Sequence, residues 1–242
     1  MVHTLPDYTT KYKMTKIFGN IDTGELAARL GSIDTFDRRG NILWMDDFEE
    51  PIMRWLDTSA ANADVMLRAS YPCRSAQNLY FLTNNVAWSF ASVQKLFPYP
   101  LSDRLGFEFW FALEQDTSYV ELQLVIDNGT NALQWRHKID VSANQLEVYN
   151  HLGNFDIYET LPNNILANRW GYNVFKLAID MNTAHYIRSL FNNVEYDLSA
   201  YRPQSGASIG NYYIDCSIIL RTTAAAFSHM YLDGFIYTFN EP

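Results

Sequence analysis

Cysteine is scarce: the 242 residues contain two, Cys73 and Cys216, far apart and in no CxxC or metal-ligand spacing. A chain able to bury a core of this size does not require a disulfide, although one between these two remains open, and Cys216 reads as a small buried hydrophobe. The five histidines, His3, His137, His151, His185 and His229, are dispersed without HExxH or His-x-His, and no Gly-x-Ser-x-Gly or phosphate loop occurs. Positive charge is also short. Lys and Arg total 18 against 27 Asp and Glu, a formal charge of −9 that disfavours phosphate backbones and excludes nucleic acid as a partner. The clusters Asp37-Arg38-Arg39 and Lys11-Tyr12-Lys13 fall short of a basic patch. No apolar run reaches the length of a bilayer span, and the opening Met1-Val2-His3-Thr4-Leu5-Pro6 is not a cationic start followed by an apolar core. The expectation is synthesis in the cytoplasm and no membrane partner. Repeats, low-complexity segments and helical periodicity of ordinary length are lacking as well.

Apolar and aromatic residues are plentiful, at 48% and 15% with 16 Tyr and 15 Phe. Aromatics suit the half-buried, pleated surface of strands. Leu105–Glu114 alternates Leu105, Phe107, Phe109, Phe111 and Leu113 with Gly106, Glu108, Trp110, Ala112 and Glu114, a period of two that helices cannot produce. Tyr119–Asp127 alternates Val120, Leu122, Leu124 and Ile126 with Tyr119, Glu121, Gln123 and Val125, then enters Asn128-Gly129, a hairpin signal. Leu133–Val141 returns with Leu133, Trp135, His137, Ile139 and Val141 on the apolar side, which makes His137 a hydrogen-bonded core residue. Further strands are expected at Gln145–Tyr149, Asp156–Thr160, Asn173–Met181, His185–Leu190, Val194–Leu198, Ile209–Leu220 and Phe235–Phe239. Short strands at this spacing predict an all-β sandwich or barrel.

The chain divides near residue 40. Residues 1–40 hold too few apolar side chains for a core and read as an extended arm. It carries one short helix at about 23–30, with a capping box from Asp22 to Glu25 and Gly31 at the C-cap. Residues 41–242 form the sandwich. An arm of this kind predicts docking on its own domain or on a neighbouring subunit.

Asn41–Trp55 places Asp46, Asp47, Glu49 and Glu50 around Phe48 and between Trp44 and Trp55. This run resembles the opening strand of concanavalin A-like jelly-roll domains. Trp170–Leu190, with Asp180 and Asn182 at its turn, and Met230–Tyr237, with Asp233, resemble the later and closing strands of the same superfamily. The resemblance covers roughly residues 41–240 and implies an antiparallel jelly-roll β-sandwich whose first and last strands are neighbours. Asp47 and Asp233 would then be candidate Ca²⁺ ligands, since hard cations want clustered oxygens; otherwise no cofactor is implied.

Three function classes follow. Laminarinase-like members of the superfamily resemble one another in a Glu-x-Asp-x-x-Glu strand that sets two carboxylates about 5 Å apart for retaining hydrolysis. The nearest match, Glu114-Gln115-Asp116-Thr117-Ser118-Tyr119, lacks the second Glu and falls in a turn, so no catalytic residue is assigned and the expectation is a protein without enzyme activity. A lectin-like glycan-binding module is the second class. Glu108, Trp110, Tyr119, Glu121, Gln123, Gln134 and Arg136 supply stacking rings and hydroxyl-binding groups on the outward sides of neighbouring strands, and burial of Trp110 is the competing role. The third class is an assembly component, in which residues 1–40 lock onto other subunits. Residues 5–12 and 33–40 are similar to uncharacterised bacteriophage proteins, which favours a virion structural subunit, capsid-decorating or tail-associated. That assembly role is the leading expectation from sequence, with carbohydrate binding the alternative.

Overall fold

The computed structural model describes residues 39–69, 76–100, 102–114, 118–161, 171–192 and 194–242. The arm up to residue 38, its expected helix at 23–30, Cys73 and residues 115–117 lie outside the described residues. Among those described there is no helix, and 16 strands pair antiparallel into two sheets.

In chain order the strands are β1 (Asn41–Asp46), β2 (Leu56–Asp57), β3 (Asp64–Arg68), β4 (Asn78–Leu82), β5 (Phe90–Pro98), β6 (Arg104–Leu113), β7 (Ser118–Asn128) and β8 (Asn131–Asp140). They continue as β9 (Gln145–Tyr149), β10 (Phe155–Thr160), β11 (Asn173–Asp180), β12 (His185–Phe191), β13 (Val194–Asp197), β14 (Gln204–Ala207), β15 (Tyr212–Thr222) and β16 (His229–Phe239). The first sheet runs β13-β12-β11-β6-β16-β4-β3, with β1 also on β16; the second runs β10-β9-β8-β7-β15-β5-β2, with β14 also on β8. The first and last strands are neighbours, Asn41 opposite Phe239 and Asp46 opposite Phe235.

The inward side of each strand meets the other sheet. Phe107, Phe109 and Phe111 of β6, Phe175 of β11 and Phe235 and Tyr237 of β16 face Leu122 and Leu124 of β7, Trp135 of β8 and Ile214, Cys216 and Ile218 of β15 in one continuous core. The acidic-aromatic run closes one end of it. Trp55 packs edge-on to Phe235 at 5.0 Å and Trp44 edge-on to Phe97 at 5.3 Å. Asp46 fixes the turn between them: its Oδ1 accepts from Phe48 N at 2.9 Å and its Oδ2 from Trp55 Nε1 at 3.2 Å. Burial raises the pKa of Asp46, against the lowering by those two bonds. Lys95 Nζ lies 4.4 Å from the Trp44 ring centroid and donates to Arg54 O at 3.0 Å.

The outer sides of the two sheets differ. Strands β6, β11 and β16 are buried on both sides, so the outer face of the first sheet is covered. On it Lys176 Nζ donates to Arg39 O at 2.9 Å and pairs with Glu241 at 2.8 Å, and Arg188 pairs with the same carboxylate at 2.5 Å. Strands β8 and β15 alternate between buried and half-buried residues over most of their length. The outer face of the second sheet is therefore the more open of the two, although Ser92, Glu121, Glu147 and Ile219 on it are buried.

Candidate functional site

Register sets the residues of this open face in rows. Phe90, Arg221, Tyr119, Asp140 and Gln145 lie opposite one another across β5, β15, β7, β8 and β9. Along the strands, the next row is Ser92, Ile219, Glu121, Lys138 and Glu147, and Gln94, Ser217, Gln123 and Arg136 form a third. Tyr149 and Phe155 pair beyond it on β9 and β10.

Opposite charges on these rows are neighbours across strands, which is where sheet side chains interact. Arg136 Nε donates to Glu121, whose side chain is buried. Lys138 Nζ reaches Glu147 at 2.7 Å and Asp140 at 3.5 Å. The same cations lie on rings: Arg136 is 4.6 Å from the Tyr149 centroid and 5.0 Å from Phe155, and Lys138 is 5.3 Å from Tyr119 and 5.2 Å from Phe155. Arg221 sits 5.0 Å from Phe90 and 6.0 Å from Tyr119. Desolvation opposes the charge on Arg136, but the hydrogen bond and charge of Glu121 outweigh it and its pKa stands above the usual value. Burial pushes the Tyr119 hydroxyl up, with Arg221 pulling it down. Asp215 accepts from Gln94 Nε2 at 2.6 Å, and burial raises its pKa despite that bond.

The backbone under the face is pinned from the core. One edge of β8 is shared in tandem, by β9 along His137–Asp140 and by β14 along Asn131–Gln134. In the gap between them the Tyr186 hydroxyl of the opposite sheet accepts from Arg136 N at 2.9 Å and donates to Tyr149 O at 2.9 Å. Both residues that present the Arg136–Tyr149 contact are thereby fixed by one buried hydroxyl. Beside it, His137 Nε2 bonds Tyr158 Oη at 2.5 Å, which bonds Ser189 Oγ at 2.8 Å, again linking the sheets.

The residues expected from sequence to share a glycan site divide between two faces. Tyr119, Glu121 and Gln123 on β7 and Gln134 and Arg136 on β8 come together on the open face. Glu108 and Trp110 do not join them: β6 belongs to the other sheet, so they point to the far side of the sandwich, where both are buried. Trp110 instead packs with Val174 and Ile236. Residues the sequence reading passed over are Lys138, Glu147, Phe90, Arg221 and Asp215; outward parity on β8 and β15 marks Lys138, Asp215 and Arg221, but nothing local marks β5. Asp47 follows β1 with its Oδ1 accepting from Glu49 N at 3.2 Å, and Asp233 is buried at the bulge of β16. No group of three or more His, Cys, Asp or Glu suited to a metal occurs among the described residues. Cys216 is buried and free.

The architecture and topology are those of a concanavalin A-like jelly roll. The chain is similar in structure to the endo-β-1,4-glucuronan lyase of the fungus Trichoderma reesei, with a TM-score of 0.55 and 11% identity over 83% of this chain and 96% of that one. It is similar also to the catalytic domain of an endo-1,3-β-glucanase (laminarinase) from Thermotoga petrophila, with a TM-score of 0.52 and 9% identity over 84% and 99% of the two chains. A third is the family 16 glycoside hydrolase of a Bacteroides ovatus mixed-linkage glucan locus, with a TM-score of 0.50 and 11% identity over 81% and 100%. No family model matches the sequence, and no curated protein matches it.

Proposed function

We propose that the open face of the second sheet binds carbohydrate, and that it does so as a binding module. The observation that carries this reading is the pair of half-buried cations, Arg136 and Lys138, held rigid by the buried carboxylates Glu121 and Glu147 on the more open of the two sheet faces. Donors fixed in this way suit sugar hydroxyls, because orienting them beforehand removes part of the entropy cost of binding. The structural relatives support it: a glucuronan lyase, a laminarinase and a hydrolase from a mixed-linkage glucan locus all act on polysaccharides. They favour carbohydrate over the virion role expected from sequence, which rests on an arm outside the described residues.

Catalysis is the second reading, favoured by one feature. Glu121 and Glu147 face the same side two strands apart, about 10 Å between backbones, with Lys138 between them. Inverting glycosidases hold their carboxyls about 6.5 to 9.5 Å apart. Each of these carboxylates is already paired to a cation, Glu121 to Arg136 and Glu147 to Lys138.

A glycan array probed with the intact protein, repeated with Gln123→Ala and Arg136→Ala, tests binding. Hits that weaken at least tenfold in both variants support the face as the site. Gln123 is half-buried in the third row and its truncation spares the ion pairs, so it reports on binding even if loss of Arg136 unfolds the sheet. An array without signal above background would remove the proposal, and release of reducing ends from a bound glycan would turn it toward catalysis.

A further inference from the structure

One corner of the open face is built differently from its middle. Trp88 is the exposed tryptophan among those described, at 62%, and its backbone is left-handed, with φ of +68°. A bulky residue in that region is a true outlier, and such strain persists only where neighbouring structure enforces it. Here the neighbours are hydrogen bonds: Trp88 N donates to Thr222 O at 3.0 Å, Ser89 N to Val86 O at 3.1 Å, Thr222 N to Ser89 O at 3.0 Å and Asn84 N to Ser89 Oγ at 3.1 Å. Thr222 and Ser89 are the chain neighbours of Arg221 and Phe90, so the turn is fastened to the end of the first row. The ring gains no core contact for this strain. It is exposed, on a turn whose backbone bonds Thr222, the chain neighbour of Arg221.

Arg221 is the cation of this face left over from ion pairing. Arg136 is matched by Glu121 and Lys138 by Glu147 and Asp140, whereas no carboxylate partner of Arg221 is found among the described residues. Its Nε is shut off from solvent without a hydrogen-bond partner. The nearest acid on its row, Asp140, lies beyond Tyr119 and is occupied by Ser142 Oγ at 2.7 Å and Ala143 N at 2.9 Å. A planar guanidinium between two rings, lacking an anion, is suited to take a carboxylate from a ligand. Rings in the middle of the face carry cations on them, which leaves Trp88 as the platform for a sugar's apolar side.

Resting on the carbohydrate reading of this face, we propose that Trp88, Phe90, Tyr119 and Arg221 form a subsite for a uronic acid unit. The pyranose ring stacks on Trp88 and its carboxylate accepts hydrogen bonds from Arg221. The ligand is then an acidic polysaccharide, recognised locally by a chain whose overall charge is −9.

Calorimetric titration with oligomers of glucuronate, galacturonate and mannuronate, each beside its carboxyl-reduced neutral counterpart, tests this. At least one uronate oligomer is expected to bind tenfold or more tighter than its neutral form. Arg221→Gln should erase that preference while neutral binding persists. Trp88→Gly should weaken both forms at least tenfold without lowering the melting temperature, because glycine is at ease at this φ; a purely structural tryptophan would lower it. Equal binding of acidic and neutral oligomers overturns the subsite and leaves the carbohydrate face standing. Failure of every oligomer to bind, when the array likewise shows no glycan, overturns both.

Discussion

Acid should destabilise this protein through the buried His137. The imidazole is buried against Phe175, ring centroids 4.2 Å apart, with Nε2 on the Tyr158 hydroxyl and Nδ1 without a partner. The neutral ring satisfies this site if Nε2–H donates to Tyr158 and Tyr158 donates to Ser189; a second proton on Nδ1 would find no acceptor. Burial accordingly pushes the pKa down from 6.5 to about 3. The folded value lies below the unfolded one, so the unfolded chain takes the proton first, and stability present above pH 6.5 is lost as pH falls toward 3. At about 1.36 kcal/mol per unit, the step from pH 6.5 to 4.5 costs roughly 2 kcal/mol once half-titration at the upper end is allowed for. Urea unfolding followed by tryptophan fluorescence, on wild type and His137→Gln at both pH values, isolates this contribution, since the carboxylates are common to both proteins. Wild type should lose roughly 2 kcal/mol more than the variant over that interval. Equal losses in the two proteins would refute the account of a buried, neutral histidine.

Three further outcomes are expected. Tyr186→Phe strips Arg136 N and Tyr149 O of their shared partner in the core, and should cost about 2 to 3 kcal/mol in urea unfolding and weaken glycan binding with it. Gly106→Ala places a Cβ against Thr238 Oγ1 and the Glu241 carboxylate; by driving that carboxylate from Lys176 and Arg188 it should destabilise by about 3 to 5 kcal/mol, read by the same method. Burial raises the Cys216 thiol well above its ordinary value, so in a Cys73→Ser variant Ellman's reagent should react only after denaturant is added; rapid labelling of the native protein would contradict the packing.

Alternation carries most of what the sequence shows of the fold. Strands β6, β7 and β8 lie within a residue or two of the expected bounds because large apolar residues occupy every second position. Strand β5 escaped notice: its inward positions are Ala91, Val93, Lys95 and Phe97, a pattern interrupted by a small residue and a cation that lies over Trp44. The candidate site was legible within the β7–β8 hairpin, where the Asn-Gly turn fixes which outward residues are neighbours. It was misread across the β6–β7 connection. Periodicity tells which residues share a side of a strand, whereas the step from one sheet to the other, which sends Glu108 and Trp110 to the opposite surface, leaves no periodic trace. Arg221 and Phe90 meet only because β15 and β5, distant in the chain, pair at Arg221 and Phe90.

The place of β16 has a consequence for how this chain comes to be folded. One side of β16 is covered end to end by β4 and β1, and the other by β6. It is the last of the 16 described strands to leave the ribosome, so until it arrives the described part of the first sheet is three separate pieces whose exposed edges and phenylalanine rows face water. Closure then joins contacts from opposite ends of the sequence in one late step, with the slow kinetics of high contact order. A chain stopped before residue 229 should keep those edges available to other copies, and insoluble aggregates rather than a smaller folded domain are its natural fate.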